Sequence, residues 1–107
     1  MSDTLRKVQE LVRVGKFRIS DHGYNELAND KLLASEIIAD IEGAIVVEDY
    51  PTYQKGPCVL VLHKDSAALP VHALWGIPTG KSEPAVLITA YRPDPAKWDA
   101  SFSQRRS

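Results

Sequence analysis

The side chains able to do chemistry in this sequence are His22, His63, His72, Tyr91, Arg92 and Lys81. An imidazole exchanges protons near neutrality, a phenol can donate one, and a guanidinium fork fits phosphate or carboxylate. Together they suit metal-independent acid–base work on a phosphate ester. The geometry would be a base for the attacking hydroxyl, an acid for the leaving oxygen and a cation for the developing charge. His22 follows Ser20-Asp21, where a helix should start, and an exposed neutral imidazole there can act as a base. Its plainer role is to tie the helix start to the sheet. His72 lies among apolar residues and must find a hydrogen-bond partner if buried. His63, at a strand end, reads as solvated. Arg92 closes the last strand as a candidate phosphate clamp, with a salt bridge to Asp94, Glu48 or Asp49 as the structural alternative.

Metal and nucleotide motifs are missing from the sequence. Three imidazoles could in principle hold zinc, but no Cys-x-x-Cys, His-x-Asp or His-Glu-x-x-His spacing exists. No metal and no cofactor are expected. Gly76-Ile77-Pro78-Thr79-Gly80-Lys81-Ser82 imitates a phosphate loop but has three residues, not four, between its first Gly and Gly-Lys-Ser. Glu83-Pro84 then leads into a strand rather than a helix. A hairpin turn is expected, with Lys81 free to touch a polyanion.

The elements that must position these groups change period halfway along the chain. Leu5, Val8, Leu11 and Val12 recur at helical spacing, with Ser2, Asp3 or Thr4 as cap and Gly15 as stop. Phe17 and Ile19 form a brief extended piece. A second helix is expected over residues 21–29, capped by Ser20 or Asp21, with Tyr24, Leu27 and Ala28 facing inward. A third starts at Ser35, carries Ile37, Ile38 and Ile41, and stops at Gly43. Residues 44–50, 58–63, 70–75 and 86–91 read as strands separated by turn signals. Their connections are too short for crossover helices, so the sheet should be antiparallel from residue 57 onward. The fold class is α+β: three N-terminal helices packed on a small, mostly antiparallel four-stranded sheet. Residues 1–100 form one domain. Residues 101–107 read as a polar, loosely ordered tail holding Arg105-Arg106.

Composition bounds the function. The chain has 107 residues, 44% of them hydrophobic and 25% charged, which fits one soluble globular domain. The formal charge of −1 argues against gripping nucleic acid by global charge. The lone Cys58 excludes an internal disulfide framework and reads as a small buried hydrophobe. No signal-like or membrane-spanning run occurs, so a cytoplasmic setting is expected.

The order of these pieces resembles the bacterial domain of unknown function 4258 family. The matches are Ser20-Asp21-His22, then Ile37-Ile38 with Ile41-Glu42-Gly43, then Val46-Val47 with Tyr50-Pro51. Leu69-Pro70-Val71-His72-Ala73 follows, and Ile88-Thr89-Ala90-Tyr91 with Pro93, Pro95 and Trp98 closes the set. The resemblance covers residues 17–98 and implies a fold like the RelE and BrnT toxins, many of which are ribonucleases. It offers His22, His72, Tyr91 and Arg92 as catalytic candidates, with Arg92 and Lys81 on phosphate. One departure matters: Glu26 stands where the family carries an arginine, four residues after the histidine. An acid there repels phosphate, and with the net charge it weakens the RNA reading. The leading expectation is a non-catalytic module that binds a protein partner or a second copy, through a sheet edge or the face around Tyr50, Tyr53 and Trp75. The alternative is an endoribonuclease of toxin type.

Overall fold

The computed structural model describes residues 2–106. Helix α1 spans Asp3–Arg13. Its cap is Ser2, whose hydroxyl oxygen accepts from the Leu5 amide at 3.1 Å. Leu5, Val8 and Val12 form its buried stripe. Each such burial contributes about 1.5–3 kcal/mol. Gly15, at φ +78°, turns the chain out of the helix and into strand β1, Phe17–Ile19.

Helix α2 spans Asp21–Asn29, with Ser20 as its cap. Its inward pair is Gly23 and Leu27. Tyr24 and Ala28 therefore point outward, and Tyr24 is 58% exposed, contrary to the expected stripe. The cause is local. A Cβ at position 23 would sit 2.7 Å from the Leu87 carbonyl oxygen, so only glycine lets the helix lie this close to the sheet. That approach fixes the rotation of the helix. Helix α3 spans Ala34–Ala39, and a 3-10 turn follows over Ile41–Gly43. Ile37 and Ile41 are buried.

Four longer strands complete the sheet: β2 Ile45–Tyr50, β3 Cys58–Lys64, β4 Pro70–Gly76 and β5 Ala85–Tyr91. The order is β1-β5-β4-β3-β2. All neighbours are antiparallel except β1, which pairs parallel with β5 in the register Phe17–Ala85 to Ile19–Leu87. The expected four strands are therefore corrected to five. The short piece at Phe17–Ile19 has no hairpin partner nearby and becomes a strand only by docking on β5.

Register divides the side chains between two faces. Val59, Val61, His63, Val71, Ala73, Trp75 and Leu87 point to the helices and are buried. Trp75 is wholly inside this core, so it does not belong to a face shared with Tyr50 and Tyr53. Tyr50, Cys58, Leu60, Leu62, His72, Leu74, Gly76 and Val86 point the other way. A bulge between Leu74 and Trp75 gives β5 the extra residue Ile88. The insertion switches parity, so Tyr91 shares this second face with Val86.

The C-terminal segment crosses part of that second face. Trp98 is buried at 4% exposure. It bridges to Arg105, while the Arg106 amide donates to the Lys97 carbonyl at 2.9 Å. Asp99 gathers the turn by accepting from the Ser101 hydroxyl at 2.8 Å. Residues 101–106 thus fold back on the domain instead of trailing loosely. Polar composition hid this, because the segment's anchors are one tryptophan and a set of backbone bonds.

Candidate functional site

His72 lies at the centre of the second face and is fully buried. It stands opposite Tyr91 on β5, with ring centroids 5.6 Å apart and edge-on. Trp98 meets it edge-on from above at 4.4 Å. Nε2 lies 2.7 Å from the Phe102 carbonyl oxygen, so the proton sits on Nε2 and donates there. Nδ1 is then an acceptor, and it is buried without a partner. Burial, opposed in part by the Phe102 bond, pushes the His72 pKa down from 6.5.

The other proposed residues are placed elsewhere. His22 is exposed in the first turn of α2, 3.7 Å from Glu26 along the same helix. Arg92 sits at the far end of that nine-residue helix, its amide donating to Asp30 at 2.7 Å. A helix of this length spans about 13 Å. The Arg92 guanidinium donates to Asp65 at 2.6 Å and to the Pro70 carbonyl at 3.2 Å. Its partner is thus a turn carboxylate, not Asp94, Glu48 or Asp49. Lys81 is exposed on the β4–β5 turn. The structure brings His72 and Tyr91 together; His22 and Lys81 lie on other elements, and the Arg92 guanidinium, although next in sequence to Tyr91, is engaged by Asp65 and the Pro70 carbonyl.

His63 is buried, not solvated as its strand-end position suggested. Its Nδ1 lies 3.2 Å from Asp40, and its Nε2 accepts from the Trp75 indole at 3.1 Å. His63 and His72 occupy opposite faces, because His72 pairs with Leu62 and His63 with Val71. Strand pairing therefore separates them by the thickness of the sheet. Among the described residues no group of three or more His, Cys, Asp or Glu side chains is placed to hold a metal.

Beyond the cover of the C-terminal segment, the second face opens into a groove of about 570 Å³. That volume lies within the range of small-molecule sites, about 300–1,000 Å³. Cys58, Leu74, Gly76 and Ile88 form its apolar floor; Arg18, Ser20, Tyr50, Tyr53 and Lys55 line its sides. Each wall has a local reason to be there. Strand alternation turns Arg18 outward between Phe17 and Ile19. Ser20 is fixed by two bonds, accepting from the Gly23 amide at 2.9 Å and donating to the Ile88 carbonyl at 2.8 Å. Gly76 keeps the floor low: a Cβ there would lie 2.9 Å from the Ile88 side chain. Tyr50 and Tyr53 are 41% and 54% exposed. Burial first, then its hydrogen bond to Glu48, raises the Tyr50 hydroxyl pKa above 10.0.

No lining residue of the groove is a carboxylate, and neither Arg18 nor Lys55 is salt-bridged among the described residues. Sequence reasoning named Tyr50 and Tyr53 but missed both cations. The alternation Phe17-Arg18-Ile19 carried the signal for Arg18; Lys55, in a turn, left none.

The sequence matches the family described as Domain of unknown function (DUF4258) over residues 19–92, and the chain belongs to that family. The matched stretch holds His72, Tyr91 and most of the groove, and ends at Arg92. Pro93, Pro95 and Trp98 lie beyond it. No curated protein matches the chain, and no solved structure does.

Proposed function

We propose that this domain is a binding module whose ligand is a single-stranded RNA segment seated in the open groove. One observation carries the reading: two cations without carboxylate partners flank two exposed tyrosines over an apolar floor. Bases stack on tyrosine rings, and phosphates follow arginine and lysine, which is how sequence-tolerant single-strand sites work. The net charge of −1 does not oppose this, because the groove's own lining carries two positive groups and no negative one. Glu26 belongs to α2 and is not among the lining residues.

The experiment is fluorescence anisotropy with a labelled single-stranded RNA 12-mer. Tyr53→Ala should weaken binding by about 1–3 kcal/mol, the typical worth of one stacked base. Arg18→Glu should weaken it further and flatten its salt dependence. No binding by the wild type at low salt refutes the reading. A dimer in sedimentation alongside that result moves the groove to a protein contact. Endoribonuclease activity is a second reading, favoured by the His72–Tyr91 pair on the same sheet face as the groove. RNA left intact by the wild type in chelator removes it.

A further inference from the structure

A second groove, of about 520 Å³, opens between α1 and the β4–β5 turn. Lys7, Leu11 and Val14 line it from one side, at the four- and three-residue spacing that puts them on one helix face. Lys81 lines it from the turn. The two grooves share a partition. Ile77 lines both, with Gly56 on the side of the first and Pro57 on the side of the second. These residues lie just before β3 and just after β4, at one end of the sheet. There the Ile77 amide donates to the Pro57 carbonyl at 3.0 Å, and the Thr79 amide donates to the Lys55 carbonyl at 3.2 Å. The start of β1 joins the grooves again: Lys16 lines the second and Arg18 the first.

We propose that the second groove is a phosphate-binding extension of the RNA site, with one RNA strand passing over this end of the sheet from the tyrosines to Lys7 and Lys81. The proposal rests on the reading of the first groove as an RNA site and adds the path of the backbone beyond it. Charge decides the ligand. The lining of the second groove holds Lys7, Lys16 and Lys81 against one carboxylate, Glu10. Arg6 meets Glu10 at 3.5 Å, and Glu83 meets Lys16 at 3.0 Å. Pairing thus removes the one anion and one of the cations. Lys7 and Lys81 are exposed and have no carboxylate partner among the described residues. With Arg18 and Lys55 they form a row of unpaired cations from one groove to the next.

The two halves differ in what they hold. Two tyrosines line the first groove, whereas no aromatic side chain lines the second. The extension therefore binds the backbone and reads no base. Each phosphate held on a single strand adds about 0.7 to the slope of log affinity against log salt. Lys7 and Lys81 together add about 1.4, which is about sevenfold in affinity over a fourfold rise in salt.

The test compares two double variants of the full chain by anisotropy, with labelled oligo(U) and oligo(A) 12-mers, at low salt and at fourfold higher salt. One carries Lys7→Gln and Lys81→Gln. The other carries Lys64→Gln and Lys97→Gln, which removes the same charge from exposed lysines that line neither groove. Over the rise in salt the wild type should lose about sevenfold more affinity than the first variant, with either RNA. The second variant should follow the wild type. Equal salt dependence in the wild type and the first variant, equal losses in the two variants, or a loss confined to one base overturns the extension. The groove reading stands in each of these cases if Tyr53→Ala still weakens binding. No binding of either RNA by the wild type at low salt overturns both.

Discussion

At the residue scale, the buried histidines show how one side chain type serves different ends on the two sides of a sheet. His63 has both ring nitrogens engaged: Nδ1–H donates to Asp40, and Nε2 accepts from Trp75. This fixes its tautomer and makes it a structural link between the end of α3 and the core. Asp40→Ala leaves a buried N–H without an acceptor and should destabilise the fold by about 1–3 kcal/mol. Asp40→Asn retains an acceptor oxygen and should cost less, a ranking that urea unfolding would measure. Burial lowers the pKa of both His63 and His72 from 6.5. The sign for pH follows. Below about pH 6.5 the unfolded chain takes up protons that the folded chain refuses. Stability is therefore complete above that range and declines as the pH falls through it. Melting temperatures at pH 7.5 and pH 5.5 should differ, with the lower value in acid. Equal values would mean that both imidazoles charge inside the fold without penalty.

At the element scale, helix α2 decides where the site's walls stand. Its cap, Ser20, is also bonded to Ile88 of β5, and Gly23 lies against the backbone of Leu87. Glycine inside a helix ordinarily costs about 0.5–1 kcal/mol relative to alanine. Here the sign reverses. An alanine Cβ would meet a backbone carbonyl at 2.7 Å, and backbone cannot rotate away as a side chain can. Gly23→Ala should therefore destabilise the fold, by about 1–3 kcal/mol as overpacking does. A gain in chemical unfolding midpoint would contradict this close packing. The ends of α2 were legible in sequence because Ser20 and Asn29-Asp30 mark them locally. Its rotation was not, because Tyr24 and Ala28 look as apolar as Leu27, and only the distant carbonyl of Leu87 selects Gly23 as the inward contact. For the same reason β1 was visible as an extended piece but not as a fifth strand. Its partner lies far along the chain, and three residues carry too little pattern to announce a parallel pairing. The four longer strands were legible because alternation and turn residues are local.

At the scale of the whole molecule, the sheet separates the face packed against the helices from the face that carries the groove. Strand parity allots each residue to one side, so stability and binding should separate under mutation. Val61 and Trp75 point to the helices and are fully buried. Val61→Ala and Trp75→Ala remove atoms from that core, with losses of about 1–3 kcal/mol for valine's pair of methyls and about 3–5 kcal/mol for the indole. RNA affinity, measured well below the melting transition, should stay near the wild-type value in Val61→Ala. Tyr53 is exposed, and among the described residues its hydrogen bonds are made through its backbone alone. Tyr53→Ala should leave the unfolding free energy within about 0.5 kcal/mol while reducing RNA affinity. Parity was readable in advance: Val59, Val61 and His63 share one side, and Cys58, Leu60 and Leu62 the other. Which side the helices cover is not local information, and that is why position alone makes His63 read as solvated and Trp75 as part of a surface. Measuring stability and binding on the same Val61→Ala and Tyr53→Ala proteins reads the partition directly. If both variants lose both properties together, the sheet transmits strain between its faces, and the groove cannot be treated as a site independent of the core.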